Sequence, residues 1–181
     1  LAVMALVYGL WPQTDGVGLT SRVATPSMVA AVRYVTGPVQ VRNSGNDGER
    51  LLHPGESLLP GAVIITGPSG RGAVVLPDGA ELRMDRRTTL RVEADHSFAL
   101  DAGAVYVDTT HRPAPGAPIH VSVREAVVSD IGTRYEVRVF EDRTRVRYRI
   151  DGLLFDLLEV PRSLHLAVVS RLKIISRLDI A

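Results

Sequence analysis

The sequence predicts an all-β protein, in which short stacked strands form either a β-solenoid or an up-and-down meander. Apolar residues come in alternating pairs, each the inward face of one strand, and the first four pairs follow at steps of eight residues while the fifth comes one residue early. The pairs are Val74/Leu76, Leu82/Met84, Leu90/Val92, Phe98/Leu100 and Val105/Val107. Turn-forming segments separate them, namely PDG (77–79), DRRT (85–88), EADH (93–96) and DAG (101–103). Between residues 32 and 150 a helical spacing of apolar residues is almost absent, and even spacing alone does not choose between solenoid and meander.

Five more segments show the alternation of a strand and raise the expected total to about nine or ten strands. They are Val39/Val41, Val63/Ile65, His120–Val123, Tyr135/Val137/Val139 and Val146/Tyr148/Ile150.

The chain divides into four predicted parts. Residues 1–11 are uncharged and apolar, and as a helix they would measure about 17 Å, which is too short to cross a hydrocarbon core of about 30 Å. We therefore expect them to be the end of a transmembrane helix or of a signal segment, with a short buried helix or strand as the alternative. Residues 12–31 read as a linker, residues 32–152 as the β domain, and residues 153–181 as an atypical Leu/Ile-rich segment. After Pro161 that segment has the pattern of an amphipathic helix.

Composition excludes several classes of function. Lys and Arg total 21 against 20 for Asp and Glu, so the net charge of +1 offers little to a nucleic acid. The chain has no cysteine, which removes disulfides, thiolate nucleophiles and cysteine-ligated metals.

The segment GPSGRG (67–72) has the look of a phosphate-binding loop. Such a loop must lead into a helix whose N-terminal amides face the anion, but the residues that follow are AVVLPDG, which favour a strand and a turn. We therefore predict a structural turn in which Gly67 and Gly70 take positive φ. Arg71 is expected to clamp a turn carbonyl or a carboxylate on an adjacent strand, a structural role favoured over contact with a partner.

No catalytic or metal site is indicated. The five histidines show no paired spacing, and the aspartates near strand ends (Asp78, Asp85, Asp95, Asp101 and Asp108) come singly, so turn capping is their simplest role. Arg83, Arg86, Arg87 and Arg91 are expected on a solvated sheet face. We expect no enzymatic activity, no metal and no cofactor.

The order of motifs in residues 33–152 resembles the FecR domain. The segments that carry the resemblance are VTGPVQVR (35–42), PGESLLPGAVIITGPSGRGAVVLPDGAELRMDRRTTLRV (54–92), LDAGAVYVD (100–108), APIHVSV (117–123) and IGTRYEVRV (131–139). The positions that match the structural motifs of the family are Gly67, Gly70, Arg71, Asp78, Gly79, Gly103, Pro118, Gly132, Thr133 and Tyr135. The chain departs from the family after residue 152, where many members continue with further β-structure and a small α/β subdomain.

The resemblance implies a non-catalytic extracytoplasmic domain of a single-pass inner-membrane regulator, with the β domain in the periplasm. Its expected partner is the periplasmic signalling domain of a TonB-dependent iron–siderophore transducer. An extracytoplasmic-function sigma factor is reached through a cytoplasmic part that is not among these residues.

Two rivals stay open at this stage. The first is an envelope-associated FecR-domain protein that binds a glycan or another protein and has no sigma-factor role. The second is an enzyme or ligand carrier built on a barrel, which requires a large closed pocket, for instance one containing His120 or Tyr135.

Overall fold

The computed structural model describes residues 28–45, 48–114, 116–124, 126–129, 134–150 and 153–161. Every regular element in these residues is a β-strand. The strands are β1 (Ala30–Thr36), β2 (Val39–Arg42), β3 (Arg50–Leu51), β4 (Ser57–Leu58), β5 (Val63–Thr66), β6 (Arg71–Val75), β7 (Glu81–Met84), β8 (Thr89–Ala94), β9 (Ser97–Asp108), β10 (His120–Val123), β11 (Ala126–Ser129), β12 (Arg134–Val139), β13 (Arg143–Ile150) and β14 (Leu153–Pro161). The predicted all-β class is confirmed for the described part of the chain.

The strands form one curled sheet whose two halves share β9. The first half has the strand order β4-β1-β6-β7-β9-β12-β13-β14, and the second has β3-β2-β5-β8-β9-β10-β11. The first six residues of β9 pair in the second half, and its last six pair with β7 and β12 in the first half. The strand β9 thus belongs to both halves of the sheet, and both halves pack on one hydrophobic core.

That core consists of the residues that the alternation predicts. All ten members of the five apolar pairs between Val74 and Val107 are at most 2% exposed, and they belong to a single buried cluster that spans both halves of the sheet. Alternation places their sequence neighbours on the outer surface, since successive side chains of a strand point to opposite faces.

The strand pairing decides between the two predicted architectures. Rungs of a solenoid pair in parallel with the next rung, whereas every pairing here is antiparallel except that of β9 with β10. The solenoid alternative is therefore wrong, and the sheet is a meander only in part, because several neighbours in the sheet are distant in sequence.

The early arrival of the fifth apolar pair has a structural cause. DAG (101–103) was expected to be a turn but lies inside β9, where the register against β8 shifts and Gly103 has a φ of +82°. The step from Phe98 to Val105 is seven residues, which in a regular strand would place Val105 on the outer face. The extra residue of this β-bulge returns the Val105 side chain to the inner face. A glycine is needed because other residues rarely adopt this φ.

The ends of the chain bear on the remaining predictions. Residues 153–161 of the segment proposed as possibly helical form β14, while the amphipathic helix after Pro161 and the apolar segment 1–11 lie outside the described residues. Among the described residues, no helix is long and apolar enough to cross a membrane.

Candidate functional site: the arginine–tyrosine face

A row of residues crosses the outer surface of the first half of the sheet. The strand registers place seven residues side by side: Tyr34, Ala73, Arg83, Tyr106, Glu136, Arg147 and Asp156. The next row contains Arg71, Ala104 and Arg138. We call the surface formed by Tyr34, Arg71, Arg83, Tyr106 and Arg138, with the carboxylates of Glu81, Asp85 and Glu136, the arginine–tyrosine face.

Two buried glutamates hold arginines in place on this face. The Oε1 of Glu81 accepts a hydrogen bond from Nε of Arg83 at 2.7 Å, and its Oε2 accepts one from Nη1 of Arg33 at 2.6 Å. The Oε1 of Glu136 accepts from Nε of Arg138 at 3.0 Å and from Nη2 of Arg147 at 2.8 Å. The glutamate side chains are only 2% and 11% exposed, whereas that of Arg83 is 41% exposed. The glutamate carboxylates are therefore buried beneath the arginine side chains that they bind.

Asp85 connects the two ends of the face. Its Oδ1 accepts a hydrogen bond from Nε of Arg71 at 3.1 Å, and its Oδ2 accepts one from Nη2 of Arg138 at 3.1 Å. The sequence predicted that Arg71 would bond to either a turn carbonyl or a carboxylate. Its partner is the carboxylate of Asp85, in the loop after β7.

The charges at this site reinforce one another. The hydrogen bond from Arg83 lowers the pKa of Glu81 below its ordinary value, although burial opposes the shift. The same bond raises the pKa of Arg83. Burial would raise the pKa of Asp85, but hydrogen bonds from the Arg86 backbone, Arg71 and Arg138 outweigh it and leave the pKa lowered. These groups are all charged at neutral pH.

A groove of about 250 Å³ opens between the charged side chains of the face. Ala104 lines it as a small residue among larger side chains that are mostly charged or aromatic. Tyr34 and Tyr106 line the groove with Arg83, whose guanidinium lies 5.8 Å from the centre of the Tyr106 ring. The groove offers aromatic surface and cationic groups together.

Two buried threonines fix the loop that carries Asp85. The hydroxyl of Thr66 donates to the Asp85 carbonyl at 2.6 Å and accepts from the Thr88 amide at 2.8 Å. The hydroxyl oxygen of Thr88 accepts from the Ala104 amide at 3.1 Å. Because both side chains are buried, the loop and the bulge of β9 are joined by hydrogen bonds shielded from water.

The GPSGRG segment is a turn, as predicted, and it leads into the strand β6 rather than a helix. The reason for its glycines is different from the predicted one, since neither Gly67 nor Gly70 has positive φ. Both pack against Pro38, and a Cβ on Gly70 would lie 2.1 Å from the Pro38 carbonyl oxygen. Close approach of two backbones, not left-handed geometry, demands glycine here.

The other sequence-predicted residues lie away from the face. Asp78 caps its turn by accepting from the Ala80 amide at 3.1 Å, and its other oxygen lies 2.8 Å from Nε2 of His96. Gly79 has a φ of +88°, as its turn requires. Pro118 lies just before β10, and Tyr135 is fully buried in the core.

Two of the predicted positions, Gly132 and Thr133, lie outside the described residues. Their structural role stays a prediction.

Turn capping explains only some of the aspartates. Asp108 accepts from the Thr110 amide at 3.0 Å, in the way that Asp78 caps its own turn. Asp85 accepts from the backbone of Arg86 in its own turn and also pairs with arginines. Asp101 lies inside β9 and pairs with Arg91 at 2.7 Å.

Sequence reasoning missed Tyr34, Tyr106, Glu136 and Arg138. The strands of Tyr106, Glu136 and Arg138 were predicted, and alternation places Tyr106 and Arg138 outward, whereas the strand β1 that carries Tyr34 was not predicted. The face depends on β1 pairing with β6 and on β12 pairing with β9. These pairings bring together residues far apart in sequence, so spacing along the chain gave no signal for the site.

The described residues also bear on two other kinds of site considered from the sequence, a metal site and a closed pocket. Among the described residues, no group of three His, Asp or Glu side chains is placed to hold a metal ion. His120 pairs with the Ser129 hydroxyl at 2.7 Å, and neither the groove nor a second cavity beside Leu59 and Pro60 is lined by His120 or Tyr135. The fold and the face define an all-β module with a charged and aromatic outer surface.

The family of this module follows from comparison with known proteins. Residues 62–149 match the family model described as FecR protein, so this part of the chain is a FecR domain. The match runs from the residue before β5 to the penultimate residue of β13 and includes Arg71, Arg83, Tyr106, Glu136 and Arg138. The FecR family is regulatory and non-enzymatic, and its members interact with other proteins in signalling.

Curated relatives match short parts of the chain. The type II secretion system protein HxcR of Pseudomonas aeruginosa is 38% identical over 69 residues, which cover 36% of this chain and 15% of that protein. The type IV pilus assembly ATPase PilB of Myxococcus xanthus is 35% identical over 78 residues, or 41% and 14% of the two chains. The type II secretion system protein E of Pseudomonas aeruginosa is 49% identical over 45 residues, or 25% and 9%. The chain thus spans about one seventh or less of these relatives, and no solved structure matches.

Proposed function

We propose that this chain is the extracytoplasmic signalling part of a FecR-like, single-pass regulator of the inner membrane. Its β domain lies in the periplasm and binds the signalling domain of a TonB-dependent iron–siderophore transducer. The bound state is relayed to an extracytoplasmic-function sigma factor. The observation that supports this most is the FecR domain at residues 62–149.

The geometry of the domain supports a binding role. A relay of this type requires a stiff scaffold whose surface has different affinities for two states of its partner, since a ligand shifts an equilibrium only through differential affinity. The single core and the cross-strand ion pairs provide the scaffold. The arginine–tyrosine face provides a surface with charge and aromatic area outside the core.

Contact with the sigma factor is assigned to a different part of the regulator. The sigma factor and a periplasmic domain lie on opposite sides of the membrane, so the β domain influences it through the membrane segment. The apolar residues 1–11 are the proposed connection.

Co-purification tests the proposal. The full chain is immobilised and exposed to the isolated periplasmic extension of a TonB-dependent transducer from the same organism, with a transducer that lacks this extension as the control. We expect saturable retention of the extension alone. Failure of the folded chain to retain any such extension would overturn the transducer relay, and retention of envelope glycans in its place would support an envelope-associated binding protein.

A further inference from the structure

We infer that the arginine–tyrosine face binds an acidic peptide segment of the partner, one that presents glutamate or aspartate side chains three residues apart. This inference rests on the proposed function, because it names the surface and the chemistry by which a protein partner is bound.

The first reason for this inference is that the arginines of the face have terminal nitrogens outside their hydrogen bonds to this chain. Arg71, Arg83 and Arg138 each use Nε to donate to a carboxylate of this chain. Both Nη groups of Arg71 and Arg83, and Nη1 of Arg138, remain outside these hydrogen bonds. A guanidinium fixed through Nε is pre-oriented, so its terminal nitrogens bind a further carboxylate at lower entropic cost.

The distribution of charge is the second reason. The three arginines of the face balance its three carboxylates, but Arg33 and Arg147, outside the defined face, also bond to Glu81 and Glu136. With Asp156 beside Arg147, this surface carries an excess of one positive charge. The glutamates lie beneath while Arg71 is 53% exposed, so a ligand meets the cations first. So small an excess suits a few carboxylates rather than the dense charge of a nucleic acid.

The spacing of the arginines sets the spacing expected in the peptide. Arg83 lies on β7 and Arg138 on β12, with β9 between them, so their strands are about 9.6 Å apart at the usual inter-strand distance. A peptide in the polyproline II conformation, which is common in unbound chains, has three residues per turn and advances about 3.1 Å per residue. Two acidic side chains three residues apart therefore lie on one face, about 9.3 Å apart, and reach both arginines. Tyr34 and Tyr106 supply apolar surface for the residues between them.

Peptide binding to the full chain tests this inference. The probe is a fluorescein-labelled ten-residue peptide with glutamates at every third position, and its control is the same peptide with glutamine. We expect the glutamate peptide to bind in low salt, more weakly at higher salt, and at least about tenfold more tightly than the glutamine peptide.

Lysine variants separate binding from folding. The double variant Arg83→Lys and Arg138→Lys keeps a positive charge for Glu81 and Glu136 but loses the Nη groups. We expect its Kd for the glutamate peptide to rise at least about tenfold, with a Tm close to that of the unsubstituted chain. The matched control is Arg91→Lys, because Arg91 pairs with Asp101 in the second half of the sheet, and its Kd should be unchanged.

The outcomes distinguish the inference from the proposed function. If the transducer extension is retained but the glutamate peptide does not bind, or if the double variant binds it normally, the inference is wrong and the function stands. If neither ligand binds the folded chain, the transducer relay fails as well. If an oligogalacturonate displaces the peptide at lower concentration than unlabelled peptide does, the face binds acidic glycans and the peptide assignment is overturned.

Discussion

Replacing Gly103 by alanine should destabilise the domain more than the same change at a glycine that has a similar positive φ but no atoms near its Cβ position. Gly103 has a φ of +82°, and a Cβ there would lie 2.4 Å from the Thr88 hydroxyl, 2.6 Å from the Arg87 carbonyl oxygen and 2.6 Å from the Thr88 Cα. A left-handed conformation costs an alanine about 1–2 kcal/mol. Forcing apart the packed backbone adds about 1–3 kcal/mol, so the total loss is about 2–5 kcal/mol.

Gly55 provides the matched control for this change. It has a φ of +84°, but a Cβ there would have no atom within 4 Å, so Gly55→Ala incurs only the conformational cost of about 1–2 kcal/mol. The two variants differ by the clash alone.

Urea unfolding measures both variants. With an m-value of about 2 kcal/mol/M, Gly103→Ala should lower the midpoint by about 1–2.5 M and Gly55→Ala by about 0.5–1 M, at unchanged m. If Gly103→Ala lowers the midpoint no more than Gly55→Ala, then the bulge of β9 is not packed as described and the explanation of its register is wrong.

Three further changes test the supports of the face. Thr88→Val keeps the shape but leaves the buried Ala104 amide without its acceptor, and it should cost about 1–3 kcal/mol in urea unfolding. Glu81→Gln should lower stability at pH 7 and flatten its acid dependence: the folded-state pKa of Glu81 is lowered, so its contribution is complete above the ordinary value of 4.5 and is lost as the pH falls below it. Gly70→Ala should destabilise by about 1–3 kcal/mol or more, because its Cβ would meet the Pro38 carbonyl oxygen at 2.1 Å.

Each of these has its own control and its own contrary result. Thr89→Val, at a half-buried neighbour, should leave the urea midpoint nearly unchanged. If both threonine variants lowered the midpoint equally, the buried hydrogen bond between Thr88 and Ala104 would not be the cause of the lost stability. Glu93→Gln, at an exposed position, should leave the acid dependence as it is, and a Glu81→Gln curve parallel to the unsubstituted one would contradict the pKa assignment. Normal stability of Gly70→Ala would show that the turn does not approach Pro38 closely.

The sequence predicted individual strands better than their pairing. His120–Val123 was predicted with the bounds that β10 has, because its alternation stands between clear turn residues. The bulged strand β9 was read as two strands with a turn, since Asp101, Ala102 and Gly103 have the composition of a turn. Only the pairing with β8 and β12 shows that the chain continues straight through them.

The candidate site was less predictable than the fold. Arg71 was singled out, and the structure confirms that it clamps a carboxylate of a neighbouring loop. Tyr34, Tyr106 and Arg138 join it only through four pairings among five strands, most of them between strands distant in sequence. The short-range patterns that reveal strands carry no information on which outward side chains become neighbours.

The central claim is that the FecR domain binds the periplasmic extension of a TonB-dependent transducer. Isothermal titration of the folded full chain with that extension tests it most directly. We expect saturable binding of one extension per chain that weakens as salt is raised, in keeping with a charged face. Absence of binding heat at every temperature tried, with a chain that unfolds cooperatively, would contradict the claim.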